Sequence, residues 1–147
     1  MAPEAVAVAP EDLTVAREAI RDLVARYNAN GDTGRFAQVR QLFAADAWMD
    51  IGDGNVRHGI DEIMTIFTGT SDAVTADFVR HFTSTHQIDV VSPDRATGRL
   101  YYAVLTQVGL DHWGRYVDEY VRHDDRWLFA SRRVSVDGWS ASSVFPR

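Results

Sequence analysis

The sequence predicts an α+β domain. Three observations predict it: apolar residues recur at helical spacing through the first half, the period changes to two in the second half, and short clusters of turn residues join the second-half segments in the manner of an antiparallel meander. Helices first and long antiparallel strands second imply helices packed on one face of a curved sheet. At 147 residues the chain has the size of one ordinary domain. No internal repeat or low-complexity linker divides it. The domain is expected over residues 11–147, behind a flexible arm at residues 1–10.

Each element has its own local reason. From Glu11 onward, Leu13, Ala16, Ile20, Leu23, Val24 and Tyr27 fall on one helical face, with Arg17, Arg21 and Arg26 mostly on the other. This first helix is expected to end at Asn30-Gly31, where glycine can take the left-handed cap conformation. A shorter second helix would bury Phe36, Val39, Leu42 and Phe43. Residues 48–51 read as a strand, Gly52-Asp53-Gly54-Asn55 as a hairpin turn, and residues 56–58 as the returning strand. Gly59 opens a third helix whose apolar face is Ile60, Ile63, Met64 and Phe67, followed by a polar loop over residues 69–75. Period-two patterning then marks strands at 78–91, 96–108, 115–123 and 127–137. Their connections are Ser92-Pro93-Asp94, residues 109–114 and Asp124-Asp125.

Composition narrows the function. The chain has no cysteine, which excludes disulfides and thiolate metal sites. Fifteen Lys plus Arg against 21 Asp plus Glu give a formal charge of −6, which disfavours nucleic acid and anionic membranes as partners. The opening MAPEAVAVAP lacks the basic region and long apolar core of a signal peptide, and no later run approaches the length that crosses a bilayer. A soluble, cytoplasmic protein is the expectation. No two histidines have the i, i+4 helical spacing of a metal site, so no metal is expected. There is neither a glycine-rich phosphate loop nor a G-x-S-x-G motif.

Three places carry candidate chemistry. Tyr27 continues the apolar stripe of helix one, and Asp32 lies five residues on; a break at Gly31 would let Asp32 swing back toward Tyr27, whereas the bland reading makes Asp32 the cap of helix two. In RHFTSTHQI, residues 80–88, strict alternation puts His81, Thr83, Thr85 and Gln87 on one face and Phe82, Ser84, His86 and Ile88 on the other, so only one histidine would look inward. On the last strand Arg132 interrupts the row Leu128, Ala130, Val134, Val136. A guanidinium there needs an acceptor, and Glu119 on the preceding strand is the obvious structural one. Asp118 or Glu119 is the pocket acid, with alternation unable to choose. His58, His112 and His123 sit near turns and are expected in solvent.

Taken together, YNANGD, LFAADAWMDI, GIDEI, RHFTSTHQI, TGRLYYAVL and GRYVDEYVRHDDRWLFASRRV, in that order and spacing, resemble the SnoaL-like branch of the nuclear transport factor 2-like superfamily. That superfamily includes scytalone dehydratase, bile-acid 7α-dehydratase, hexachlorocyclohexane dehydrochlorinase and ketosteroid isomerase. The resemblance spans residues 13–137. It implies a cone of curved antiparallel sheet closed by three N-terminal helices around a ligand pocket. It also implies that Tyr27, Asp32, His81 and Arg132 are catalytic and that Asp32 is more than a cap. Relatives often carry asparagine where this chain has Thr85. Trp48, Phe67, Thr85, Tyr102 and Tyr116 are the expected substrate contacts. The expected activity is a cofactor-independent elimination on a cyclic, mostly apolar hydroxy-carbonyl substrate such as a polyketide or steroid-like ring, with a His–Asp base. The alternatives are a cyclase or double-bond isomerase on the same scaffold, or a binding or assembly module. A homodimer or homotrimer is expected.

Overall fold

The computed structural model describes residues 6–147; the first half of the expected arm lies outside the described residues. Helix α1 (Pro10–Asp32) is followed by α2 (Phe36–Arg40), β1 (Phe43–Asp50), β2 (Arg57–His58) and α3 (Ile60–Ala73), then by β3 (Arg80–Ser92), β4 (Arg95–Thr106), β5 (Gly109–His123) and β6 (Arg126–Trp139). The strands make one six-stranded sheet in the order β2-β1-β6-β5-β4-β3. All neighbours are antiparallel except β1 and β6, which run parallel. The sheet is therefore mixed and open, with three helices on its inner side: an α+β fold.

Burial follows the two periods. Ala16, Ile20, Leu23, Val24 and Tyr27 form the buried stripe of α1. They pack on inward residues of the long strands, among them Leu100, Tyr102, Val104, Tyr116, Tyr120 and Phe129. The sheet's outer face leaves Phe82, Tyr101, Trp113 and Val117 exposed. No helix among the described residues is long and apolar enough to cross a membrane.

Several boundaries differ from the sequence reading. α1 does not stop at Gly31 but continues to Asp32. Its terminator is Gly34, at φ +72: the Gly34 N–H donates to Gly31 O at 3.3 Å and the Arg35 N–H to Asn30 O at 2.9 Å, the paired closure that a left-handed residue permits. Phe43 belongs to β1 rather than to the second helix. α3 runs through most of the expected polar loop. The stretch expected as a loop at 109–114 is strand, because a two-residue connection, Gln107-Val108, suffices once Thr106 pairs with Gly109.

Three bulges matter most, since each reverses the parity of its strand. On β3 the register shifts between Ser84 and Gln87, where Thr85 takes φ +52. On β6, Phe129 pairs with Tyr120 and Ser131 with Glu119, leaving Ala130 extra. On β5, His112 pairs with Val104 and Leu110 with Leu105, leaving Asp111 extra.

Candidate active site

Asp32 ends α1 beside the start of β3, and the two elements meet through it. Its Oδ2 accepts the His81 backbone N–H at 2.8 Å, and its Oδ1 lies 2.5 Å from His81 Nδ1. A carboxylate only accepts, so Nδ1 carries the proton and Nε2 keeps its lone pair. The Asp32 side chain is 7% exposed and that of His81 22%, so the acid is sequestered while the imidazole retains an open edge. No side chain caps α2, which disposes of the capping role for Asp32.

Tyr27 goes elsewhere. The helix is unbroken through Gly31, so the expected break that would swing Asp32 toward Tyr27 is not there, and five residues of helix rotate Asp32 well off the Tyr27 face. The Tyr27 ring instead lies edge-on to Phe43, Phe67, Tyr116 and Phe129, with centroids 5.5–6.4 Å away. Burial pushes its hydroxyl pKa up, against the pull of the Arg132 charge.

Arg132 is fully buried. Its Nε donates to Asp118 Oδ1 at 2.8 Å and its Nη2 to Asp118 Oδ2 at 2.7 Å, with both side chains fully enclosed. The guanidinium also lies 3.9 Å from the Tyr116 ring centroid, 4.2 Å from that of Tyr27 and 4.5 Å from that of Phe129. The structural partner is thus Asp118, not Glu119, which is outward and accepts a hydrogen bond from Ser131 Oγ. This follows from register: Asp118 stands directly opposite Arg132. The coupled charges hold the guanidinium firmly protonated despite its burial.

The bulge at Thr85 brings both strand histidines to the inner side, where alternation allowed only one. His86 Nε2 lies 3.1 Å from the Tyr120 hydroxyl, which itself donates to Asp118 Oδ2 at 2.8 Å. The chain His86–Tyr120–Asp118–Arg132 is therefore continuous, and it assigns the Nε2–H tautomer to His86. Burial lowers the His86 pKa from 6.5 to about 4. Between those values the unfolded chain binds a proton that the folded chain refuses, so stability rises with pH across the window and is lost as pH falls from 6.5 toward 4. Burial lowers His112 in the same direction. A declining melting temperature through this acid range is expected, and His86→Gln should flatten the decline; an unchanged slope would remove His86 as its source.

Of the expected substrate contacts, Tyr102, Tyr116 and Phe67 are on the inner side. Tyr102 stacks on Tyr116 at 4.5 Å and faces His81 at 6.3 Å between centroids; Phe67 meets Tyr27 at 5.6 Å. Two do not belong. Thr85 is exposed at the bulge, and Trp48 sits on the outer face with the Arg133 guanidinium 5.4 Å from its ring, because Met49 is the residue paired with inward Arg132. His112 is a further correction: it is 6% exposed rather than solvated. Its Nδ1 lies 2.7 Å from Asp111 Oδ1, and Trp139 stacks on it at 4.8 Å. Pairing of neighbours at a bulge was the signal that strict alternation hid.

Two grooves, of about 560 and 390 Å³, lie on the outside, one between α1, α2 and the β5–β6 turn and the other beside Val6 to Ala9; neither is lined by His81, Asp32, Tyr27 or Arg132. The free edge of the site is the side of His81. Among the described residues, no cluster of His, Asp and Glu has the arrangement of a metal site.

A family model described as the SnoaL-like domain matches residues 13–133. The chain belongs to the SnoaL-like family. Solved structures agree in fold. A provisionally assigned scytalone dehydratase from Novosphingobium aromaticivorans superposes with a TM-score of 0.80 at 19% identity, covering 94% of this chain and 97% of that one. Hexachlorocyclohexane dehydrochlorinase from Novosphingobium barchaimii LL02 gives 0.79 at 18% identity, covering 95% and 99%. A protein of unknown function from Mycobacterium tuberculosis gives 0.76 at 27% identity, covering 90% and 78%. No curated protein matches the chain. Within this SnoaL-like domain the comparisons establish the fold, and they leave the reaction to the site itself.

Proposed function

We propose that this SnoaL-like protein is a cofactor-independent lyase that removes water from a cyclic, mostly apolar hydroxy-carbonyl compound. One observation carries the reading: His81 is held through Nδ1 on a sequestered carboxylate, with its Nε2 lone pair unspent and its edge open beside Tyr102. Nε2 takes the proton from the carbon next to the carbonyl. The C–H electron pair forms the new carbon–carbon double bond through an enolate, and the hydroxyl on the adjacent carbon leaves. The imidazolium, stabilised by Asp32, returns the same proton to that hydroxyl, so water departs and the base is regenerated. Tyr102 and Phe67 supply apolar wall around the ring.

Tyr27 and Arg132 take a different part from the one the resemblance implied. Both sit in the packed floor, where Asp118 and three ring faces occupy the guanidinium. Their contribution is the shape and field beneath the site rather than contact with a leaving oxygen.

The test uses 3-hydroxy-1-tetralone, whose dehydration and tautomerisation yield 1-naphthol. A product lighter by about 18 daltons, the mass of water, supports the lyase; an unchanged mass with altered absorbance moves the assignment to isomerisation, and no change in either refutes it for this substrate class.

A further inference from the structure

One buried polar side chain has no part in that scheme. Asn28 is 7% exposed and lies one helical turn before Asp32, so the two share a face of α1. Its Nδ2 reaches Thr83 Oγ1 only at 3.5 Å, and its Oδ1 has no partner among the described residues. Thr83 lies two residues beyond His81 on β3, on the same inward face. Asp32–His81 and Asn28–Thr83 are therefore successive rungs between α1 and β3, separated by a helical rise of about 6 Å. Exchanging the amide oxygen and nitrogen does not mend matters: Oδ1 would then accept from Thr83 and the amide N–H groups would be left over.

Native proteins leave few buried polar atoms unpaired. The other one among the described residues, Arg132 Nη1, belongs to a guanidinium enclosed by three aromatic rings, whose cation–π attraction offsets part of the loss. Asn28 has no such substitute. An amide and a hydroxyl that offer both donor and acceptor, one rung from a proposed base, match the hydroxyl group of a small molecule, which gives one hydrogen bond and receives another.

We propose that Asn28, with Thr83, forms a polar subsite for a hydroxyl on the part of the substrate remote from the carbon deprotonated at His81. The inference rests on the lyase reading and narrows it: the preferred ring system carries a second oxygen substituent. Asn28 would then act in selection, because a site built to bond a hydroxyl penalises the analogue that lacks it.

Equilibrium binding tests this without turnover. Calorimetric titration of the full chain with 1-naphthol and with the 1,5-, 1,6- and 1,7-naphthalenediols should show at least one diol binding about tenfold more tightly than 1-naphthol. In Asn28→Leu that diol and 1-naphthol should converge to within about twofold, while the melting temperature stays level or rises, since the change trades one long hydrogen bond for removal of a buried oxygen without a partner. Asn28→Met, unbranched and of similar volume, gives the same reading if leucine misfits. Equal affinity for all four compounds in the unmodified protein, no binding by any diol, or a preference that survives both substitutions would overturn the subsite. The two readings fail separately: a failed lyase shows as no mass loss from 3-hydroxy-1-tetralone, a failed subsite as a missing diol preference.

Discussion

Arg132→Met is expected to destabilise the protein by about 3–5 kcal/mol, the largest stability effect of any single substitution at this site. The reason lies in what remains behind. Asp118 is 1% exposed, and the guanidinium supplies two of the three hydrogen bonds that its carboxylate accepts. Without the arginine, one Tyr120 hydroxyl must hold a charge that is cut off from water. Contacts with the faces of Tyr27, Tyr116 and Phe129 go as well. Asp118→Asn should be costly for the mirror-image reason, since the amide cannot match both the fork of donors and the charge. The double change Arg132→Met with Asp118→Leu should recover much of the loss, because a well-packed apolar pair avoids the desolvation of both ions. Urea unfolding of the three variants measures all this. A single-variant cost below about 1 kcal/mol, the range of an exposed pair, would show that the ion pair does not hold the core.

The largest expected effect on activity is at the other end of the site. His81→Ala should lower kcat/KM for 3-hydroxy-1-tetralone by about 10²–10⁴-fold, the usual worth of a positioned general base. Asp32→Asn should come close to it by another route. The asparagine oxygen can still accept the His81 backbone N–H, so the junction of α1 with β3 persists and the melting temperature should move little. Its amide nitrogen then faces Nδ1 and donates, which drives the imidazole proton to Nε2 and removes the lone pair needed for the reaction. Retention of near-normal turnover in a folded Asp32→Asn protein would sink the base assignment, whereas loss of activity accompanied by unfolding in His81→Ala would mean the histidine is structural.

The placement of Asp32 against His81 is legible in the sequence, through the order and spacing of YNANGD and RHFTSTHQI within the family resemblance. The helical stripe of α1 was equally plain, because every residue from Ala16 to Tyr27 obeys one local period. The inner faces of the strands were not. Counting from His81 by twos selects Thr85 and rejects His86, and the structure does the opposite. Counting from Leu128 by twos reaches Arg132, but Phe129, not Leu128, is the inward residue on the near side of the bulge. His112 looked like a turn residue until the short β4–β5 hairpin drew it into the core.

The amino-acid sequence by itself determined the order of elements, the buried side of α1, the absence of thiol chemistry, and the need of Arg132 for a buried acceptor. Those are matters of nearest neighbours and composition. Tertiary structure decided which acceptor it was, which residues of β3, β5 and β6 face inward, and that β1 joins β6 in parallel. Strand parity is reversed by a single extra residue, and a bulge is specified by pairing with the next strand rather than by the chain's own period. The partner of a buried charge is therefore a property of register, and register exists only once the sheet has formed.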